Sequence, residues 1–340
     1  MRAWRLENGF GFDSLKSVQL GVPEVSHGQV LVKIHAASLN YRDLLVLKGS
    51  YFPKLSFPHI PLSDASGEVV ALGTGVTQWQ IGDRVAANFM QQWRQGDFSE
   101  PYSRSALGAE NQGILAEYVL FDQDGLVAIP PHLSYEQMAT LPCAAVTAWN
   151  ALVGGQNPVK SGDRVLLQGT GGVALFALQF AKTLGAETFL ISSSNDKLNK
   201  AKSLGADHLL NYREVPDWEK WCRKVTNGLG VDHVIEVGGP NTLEKSFRAV
   251  RAGGHIALIG VLSGTGSVNP IPILMRSLIV RGIYVGSKQH FLDLNRCLTL
   301  HKIEPVIDRV FTFDQFPDSL HYLESGQHFG KIVLQLSGGE

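Results

Sequence analysis

Residues Gly169-Thr170-Gly171-Gly172-Val173-Ala174 have types and spacing suited to holding phosphate. They follow an apolar run, Arg164–Gln168, and open a helical pattern in which Leu175, Phe176, Leu178 and Ala181 supply a buried face. In a strand–turn–helix of this kind the first glycine makes the tight turn and the second lets a pyrophosphate approach the backbone. The third small residue keeps helix and strand close. Unpaired N–H groups at the helix start, with the helix dipole behind them, would hold the charge. The alternative is a plain turn that binds nothing. NAD sites carry an acid about 20 residues on, which bonds the ribose 2′-hydroxyl. Here the next run, "TFLISSSNDK", ends in Ser192, Ser193 and Ser194, and the nearest acid, Asp196, lies beyond the turn. Small hydroxyls leave room for a 2′-phosphate, Lys197 can neutralise it, and Tyr212 closes the following run nearby. NADPH is therefore the expected cofactor, with a merely solvated Lys197 as the alternative. Three further runs end on glycine, at Gly238, at Gly260-Val261 and at Val285-Gly286-Ser287. Ligands dock at that edge of an open parallel sheet, so backbone close beside a flat ring is expected there. Simple strand termination is the alternative.

These residues need a scaffold, and the texture of the chain supplies two. From about residue 145, "DRVLLQG", "TFLISSS", "VDHVIEVGG", "GHIALIG" and "GIYVGS" read as buried strands, mostly separated by helical stretches such as "ALFALQFAKTLG". This alternation predicts an α/β unit: a doubly wound parallel sheet of Rossmann type, with helices on both faces. Residues 1–130 are instead β-rich, with short glycine-punctuated strands in "GQVLVKIHAASLN", "SGEVVALGTGV", "IGDRVAAN" and "AEYVLFD", as in a small barrel or sandwich. The tail predicts a helix around 291–300, another at 314–324 and a closing strand "KIVLQL". The expected domains are 1–144, completed by 288–340, and 145–287.

At 340 residues the chain exceeds what one core usually holds. A net charge of −1 gives no basic footprint for nucleic acid, and no apolar stretch is long enough for a membrane span. The N-terminus "MRAWRLENGFGFDSLK" lacks a signal peptide's apolar core. Cys143, Cys222 and Cys297 are too far apart for a CxxC site, which fits a reducing cytoplasm.

The assembled pattern, with "GTGGVALFALQFAKTLGA" and "GADHLLNYRE" as its most specific segments, resembles the medium-chain dehydrogenase/reductase family over essentially the whole chain. The resemblance implies a GroES-like β domain, then a nucleotide-binding domain, then a tail returning to the first. Zinc alcohol dehydrogenases of that family hold catalytic zinc with an early Cys, a His-Glu pair and a Cys entering the second domain. Here those places carry Asn40 of "LNYRD", Ser63-Asp64 of "IPLSDASGEV" and Cys143. One soft ligand cannot hold a zinc that wants three protein ligands. Residues 1–142 contain no Cys, so the structural four-cysteine lobe is missing, and the histidines show no HxxxH or HExxH spacing. No metal is expected, and Cys143 reads as a small buried hydrophobe. The chain then resembles the zinc-free quinone oxidoreductase branch, where NADPH reduces quinones or the double bond of α,β-unsaturated carbonyls.

That branch implies hydride transfer to an electrophilic carbon, with negative charge developing on an oxygen. Without a Lewis acid, oriented donors must bear the charge. Tyr41 is the candidate proton donor, Asn40 and Arg42 are candidate donors to the oxygen, and Asp43 completes the polar segment. The alternatives are structural: Asn40 caps the helix at "YRDLLVLKG", Asp43 pairs with Arg42 or backbone, and Tyr41 lines a wall. The resemblance also puts Lys331 of "FGKIVL" near the cofactor phosphates, against a solvated strand-end lysine. The loop 88–113, with Phe89, Trp93, Phe98 and Tyr102 interleaved, either walls a substrate entrance or makes a dimer contact. The expected partners are a small carbonyl or quinone substrate and a second copy of the chain in a homodimer, with neither nucleic acid nor membrane. Competing readings are a zinc-free alcohol or aldehyde dehydrogenase, and an NADPH-binding sensor or structural protein without turnover.

Overall fold

In the computed structural model, which describes residues 1–336, the chain divides into two units. One comprises Met1–Val146 with Gly286–Glu340 and the other Thr147–Val285.

The first unit begins with an antiparallel hairpin, β1 (Arg2–Leu6) and β2 (Leu15–Gln19). Then come β3 (Gln29–Ser38), α1 (Tyr41–Leu47), β4 (Asp64–Leu72), β5 (Arg84–Ala87), α2 (Glu100–Ser103), β6 (Tyr118–Asp122), β7 (Leu126–Ala128) and α3 (Tyr135–Ala139). Strand β3 is the hub, pairing antiparallel with both β4 and β6. Val30, Val32 and Ile34 drive this, since β-branched side chains suit a pleated surface buried in the core. The loop 88–113 is packed in part, with residues 94–101 exposed. Phe89, Met90 and Trp93 are buried, Trp93 stacks on Tyr102 and meets the edges of Phe98 and His290, and the Trp93 carbonyl accepts from Lys288 N–H (2.8 Å).

The second unit follows the start of α4 (Val146–Val153) and alternates strictly. Its elements are β8 (Arg164–Gln168), α5 (Gly172–Thr183), β9 (Glu187–Ser192), α6 (Asn195–Ser203), β10 (His208–Asn211), α7 (Trp218–Val225), β11 (Val231–Glu236), α8 (Pro240–Ala249), β12 (Val250–Leu258), α9 (Ile271–Met275) and β13 (Ile279–Gly282). All pairs are parallel, in the order β10-β9-β8-β11-β12-β13. The order reverses between β8 and β11, the switch point at which such sheets receive ligands beyond their carboxyl ends. Leu166, Phe189, Val234 and Ile256 form its core.

The chain then returns to the first unit with α10 (Lys288–His301), β14 (Ile307–Thr312), α11 (Phe316–Glu324) and β15 (Lys331–Gln335). The first unit's sheet runs β14-β15-β3-β4-β5-β7, with β6 also on β3. Strand β15 lies antiparallel to β3, Val333 opposite Ser38, while β14 and β15 are parallel, a pairing the sandwich expectation lacked.

Two further expectations change. "GIYVGS" is not a strand: pairing stops at Gly282, and Val285 has φ 57°, outside any strand. Gly286 and Ser287 fall in the first unit. The Ser287 hydroxyl caps α10 by accepting from His290 N–H (3.2 Å), and a Cβ on Gly286 would lie 2.8 Å from Val146 Cγ1.

Candidate functional site

In the second unit, the turn after β8 opens α5 as the sequence predicts. Gly169 sits at φ 80°, which favours glycine, and its N–H donates to Ile191 O (2.7 Å). Gly171, the N-cap, has an ordinary φ of −78°, and a Cβ built on it meets nothing within 4 Å. Neither backbone strain nor protein packing calls for glycine at 171. The open space beside it leaves room for a ligand, and the Gly169–Val173 turn with the α5 N-terminus fits a dinucleotide pyrophosphate.

Strand β9 ends at buried Ser192, whose carbonyl accepts from Tyr212 N–H (3.0 Å), so Tyr212 stands at the adjacent strand end with its side chain exposed. Ser193 is half-buried, and Ser194 caps α6 by accepting from Lys197 N–H (3.4 Å). Ser192, Ser193, Lys197 and Tyr212 therefore gather at one end of β9, β10 and α6, and no acid joins them from the β9 end itself.

The other glycines read differently. A Cβ on Gly238 would lie 2.3 Å from Thr242 Oγ1, and one on Gly260 would lie 2.5 Å from Val237 O. Packing within the unit accounts for these glycines, and for Gly286 as described, so they are no evidence of a ring close by. Val261 is exposed beyond β12. Val285 is the outlier, a β-branched residue in left-handed backbone. Asn150 holds it: its Nδ2 donates to Val285 O (2.7 Å), while its Oδ1 accepts from Arg281 Nη2 (2.6 Å).

Beneath the turns lies a network the sequence reading missed. Glu236, fully buried at the end of β11, accepts from five donors: Gly238 N–H (2.8 Å), Gly239 N–H (3.1 Å) and Thr242 Oγ1 (2.5 Å) on one oxygen, Gln168 Nε2 (2.7 Å) and Ser246 Oγ on the other. Gln168 immediately precedes Gly169, so one carboxylate ties the glycine turn's strand to the loop after β11. The available signal was an acid inside the apolar run "VDHVIEVGG".

In the first unit, the β15–β3 pairing brings Lys331 to Asn40. Lys331 Nζ donates to Leu39 O (2.5 Å) and Asn40 Oδ1 (2.6 Å), and the side chain is 3% exposed. Burial pulls its pKa below the usual lysine range, opposed by Asp64, Cys143 and Asp43. An ammonium engaged this way is not displayed to phosphates, which corrects both expectations for Lys331. Arg42 is corrected too. Its guanidinium is buried, with Nη1 donating to Leu107 O (3.1 Å), the Tyr51 and Phe89 rings beneath it, and Asp43 at 3.6 Å. It packs the unit rather than facing a substrate. Asp43 accepts from Asn40 N–H (2.7 Å) at the start of α1, and burial raises its pKa to about 6 against the pull of Arg42. Tyr41, the first residue of α1, is 45% exposed.

Asp64 heads β4, fully buried, its oxygens accepting from Ser63 Oγ (2.7 Å) and Cys143 N–H (3.0 Å). Cys143 lies in a π-helical turn, Leu141–Ala145, and burial pushes its thiol up, away from the thiolate a metal needs. Among the described residues, no three His, Cys, Asp or Glu side chains are grouped to hold a metal. With the Lys331 ammonium on Asn40 and both Asp64 oxygens already accepting, this donor set does not fit zinc.

Residues 26–131 match the family described as alcohol dehydrogenase GroES-like domain, and residues 172–299 the one described as zinc-binding dehydrogenase. A zinc-type alcohol dehydrogenase-like protein of Schizosaccharomyces pombe is 44% identical over 333 residues, 96% of each chain. A 2-methylene-furan-3-one reductase of Solanum lycopersicum is 31% identical, covering 98% of this chain and 79% of its own. The crystal structure of an NAD-dependent alcohol dehydrogenase superposes with a TM-score of 0.90 at 34% identity, covering 99% of this chain and 100% of that one.

Proposed function

Since the chain belongs to the medium-chain dehydrogenase/reductase family and is an NAD(P)H-dependent oxidoreductase, we propose that it works without zinc and with NADPH, reducing quinones or the double bond of α,β-unsaturated carbonyls. The observation that carries this reading is the lysine ammonium on Asn40, where the family's zinc enzymes place a metal ligand. The tomato relative's name, a reductase of a methylene-furanone, supports the substrate class.

Bound NADPH would supply the hydride, held through Gly169–Val173 and, at its 2′-phosphate, through Ser192, Ser193, Lys197 and Tyr212. In the first unit the Tyr41 hydroxyl donates the proton, and the Asn40 amide donates to the oxygen on which charge builds. Arg42 and Asp43 fix the start of α1, where Tyr41 and Asn40 sit.

A homodimer and a cytoplasmic location belong to the same proposal. Leu274 is 79% exposed, with Ile271, Met275 and edge-strand Ile279 exposed beside it in sequence, and an open sheet edge with apolar neighbours invites a second copy. The three cysteines are free, as a reducing compartment favours.

A zinc-type alcohol dehydrogenase is the second reading, favoured by the name of the fission-yeast relative. NADPH oxidation should be screened against quinones, enals and enoyl thioesters, beside NADP-dependent oxidation of primary alcohols and metal analysis of the purified protein. Turnover of quinones or enones with no stoichiometric metal is the expected result. One zinc per chain, lost together with activity on chelation, would overturn it. Light scattering should give twice the chain mass, and Leu274→Glu should halve it.

A further inference from the structure

In the first unit's polar cluster the Asn40 amide is bonded through its oxygen and open at its nitrogen, a donor, whereas the atom left open on its neighbour Asp43, Oδ1, is an acceptor. An ammonium has donors only, so the amide atom it meets at 2.6 Å must be the oxygen. Amide orientation is ordinarily ambiguous; here the chemistry of the partner decides it. Nδ2 therefore faces away from Lys331. It is buried, and no acceptor in the protein reaches it. A buried N–H donor without a partner is costly and calls for an explanation. The geometry around it is well held. The Asn40 backbone N–H is tied to Asp43 Oδ2 (2.7 Å), the Leu39 carbonyl to the same ammonium (2.5 Å), and Leu39 N–H to Ile332 O (3.1 Å) in the chain next to Lys331. Lys331 begins β15, its backbone opposite Ile307 of β14, and its side chain is buried.

We propose that Lys331 is a positioning residue whose ammonium locks and polarises the Asn40 amide, presenting Nδ2 as the oriented donor for the oxygen of the acceptor substrate. This rests on the reductase reading for the identity of the acceptor, but the Lys331–Asn40 relation stands apart from it. A positive charge on the amide oxygen draws electrons from the nitrogen and strengthens its N–H as a donor, as oriented dipoles do when charge develops on an oxygen. The ammonium thus works through the amide where a metal would polarise an oxygen directly.

The test combines kinetics with the Asn40 amide itself. In 15N,1H spectra of asparagine-labelled protein, the Asn40 side-chain pair is identified by its loss in Asn40→Asp. It should shift when saturating cyclohexanone, a saturated stand-in for an enone, is added to the wild type. The pair should move in Lys331→Met before any ligand is present. With the best enone found, Lys331→Met should lower kcat about 10–100-fold without changing the NADPH dissociation constant, and Lys331→Arg should recover part of that loss. Should Lys331→Met not fold, Asn40→Asp carries the kinetic test. It keeps a partner for the ammonium and removes the donor, so kcat should fall while the melting temperature holds or rises. An unmoved amide pair, no shift with cyclohexanone, or full kcat in Asn40→Asp would each overturn the proposal. So would a loss in Lys331→Met that appears in NADPH affinity, since that would return Lys331 to the cofactor phosphates. Absence of any reductase turnover would sink the functional reading instead, leaving the unliganded spectra to judge the lock between Lys331 and Asn40.

Discussion

Glu236 in the second unit and Lys331 in the first are both buried ionisable groups beside candidate site residues, and the two are handled in opposite ways. Glu236 in the second unit is surrounded until every lone-pair direction is used, by two backbone amides, two hydroxyls and a side-chain amide. Lys331 in the first unit reaches two acceptors, and one of these, the Asn40 amide, leaves its own donor unanswered. A closed network holds backbone in place, which is what a phosphate-binding turn needs, because its ligand contacts are main-chain N–H groups. An open network keeps a group in reserve for something that arrives. The difference separates scaffold from chemistry more sharply than burial does, since both charges are buried.

The comparison is most exposed at Glu236. Glu236→Ala leaves several buried donors without an acceptor and should destabilise the second unit by about 3–5 kcal/mol, as read from denaturant unfolding. NADPH binding should weaken with it, and Glu236→Asp should recover part of both. Intact stability in Glu236→Ala would show that the network is not a scaffold.

In the open region the effect should fall on turnover instead. Tyr41→Phe should lower kcat on an enone by ~10²–10³ with little change in NADPH affinity or stability, because the hydroxyl acts mainly in the transition state. The loss should be smaller for quinones, whose reduced oxygens are stabilised by their own ring. Full enone turnover in Tyr41→Phe would hand the proton to another donor.

Acid should weaken both units by a shared route. His59 in the first and His255 in the second are pushed down to about 4 from an ordinary 6.5, chiefly by burial. Each is neutral when folded and takes up a proton on unfolding. Their contribution is therefore complete above pH 6.5 and is lost as pH falls toward 4, by up to about 3 kcal/mol each. His255→Phe should flatten the pH slope of unfolding of the second unit between those values; an unchanged slope would remove His255 from the account.

The smallest expected effect concerns Lys197, on the phosphate side of the scaffold. Lys197→Ala should weaken NADPH binding about tenfold while barely changing NADH, the scale of one charge-assisted hydrogen bond. Equal affinity of the wild type for both nucleotides would cancel the argument from Ser192 and Ser193.

The glycine turn and the serine-ended strand were legible because their determinants are local: strand, turn and helix follow one another, and strand β9 returns beside β8 directly. The glycines at 238, 260 and 286 were not legible in the same way. In sequence, a glycine demanded by a packed protein neighbour looks identical to one demanded by a ligand. Only the space around the missing Cβ distinguishes Gly171, open on that side, from Gly260, pressed on Val237 O. Arg42 and Lys331 were read as solvent- or ligand-facing cations because sequence reports charge and not solvation.

By itself the sequence determined the alternation that makes a parallel sheet, the turn that opens α5 and the residue types standing at the family's metal positions. The first two follow from backbone propensity and hydrophobic period over a few tens of residues, and the third from the family resemblance. The fate of the buried charges was decided by the tertiary structure. Asn40 and Lys331 are 291 positions apart and meet because β15 pairs with β3, while Glu236 takes four donors from the ten residues that follow it and its fifth, Gln168, because β8 lies beside β11. Whether an ionisable group is solvated, saturated or left with an open donor depends on every neighbour that folding brings, and those neighbours are set by strand pairing across the whole chain.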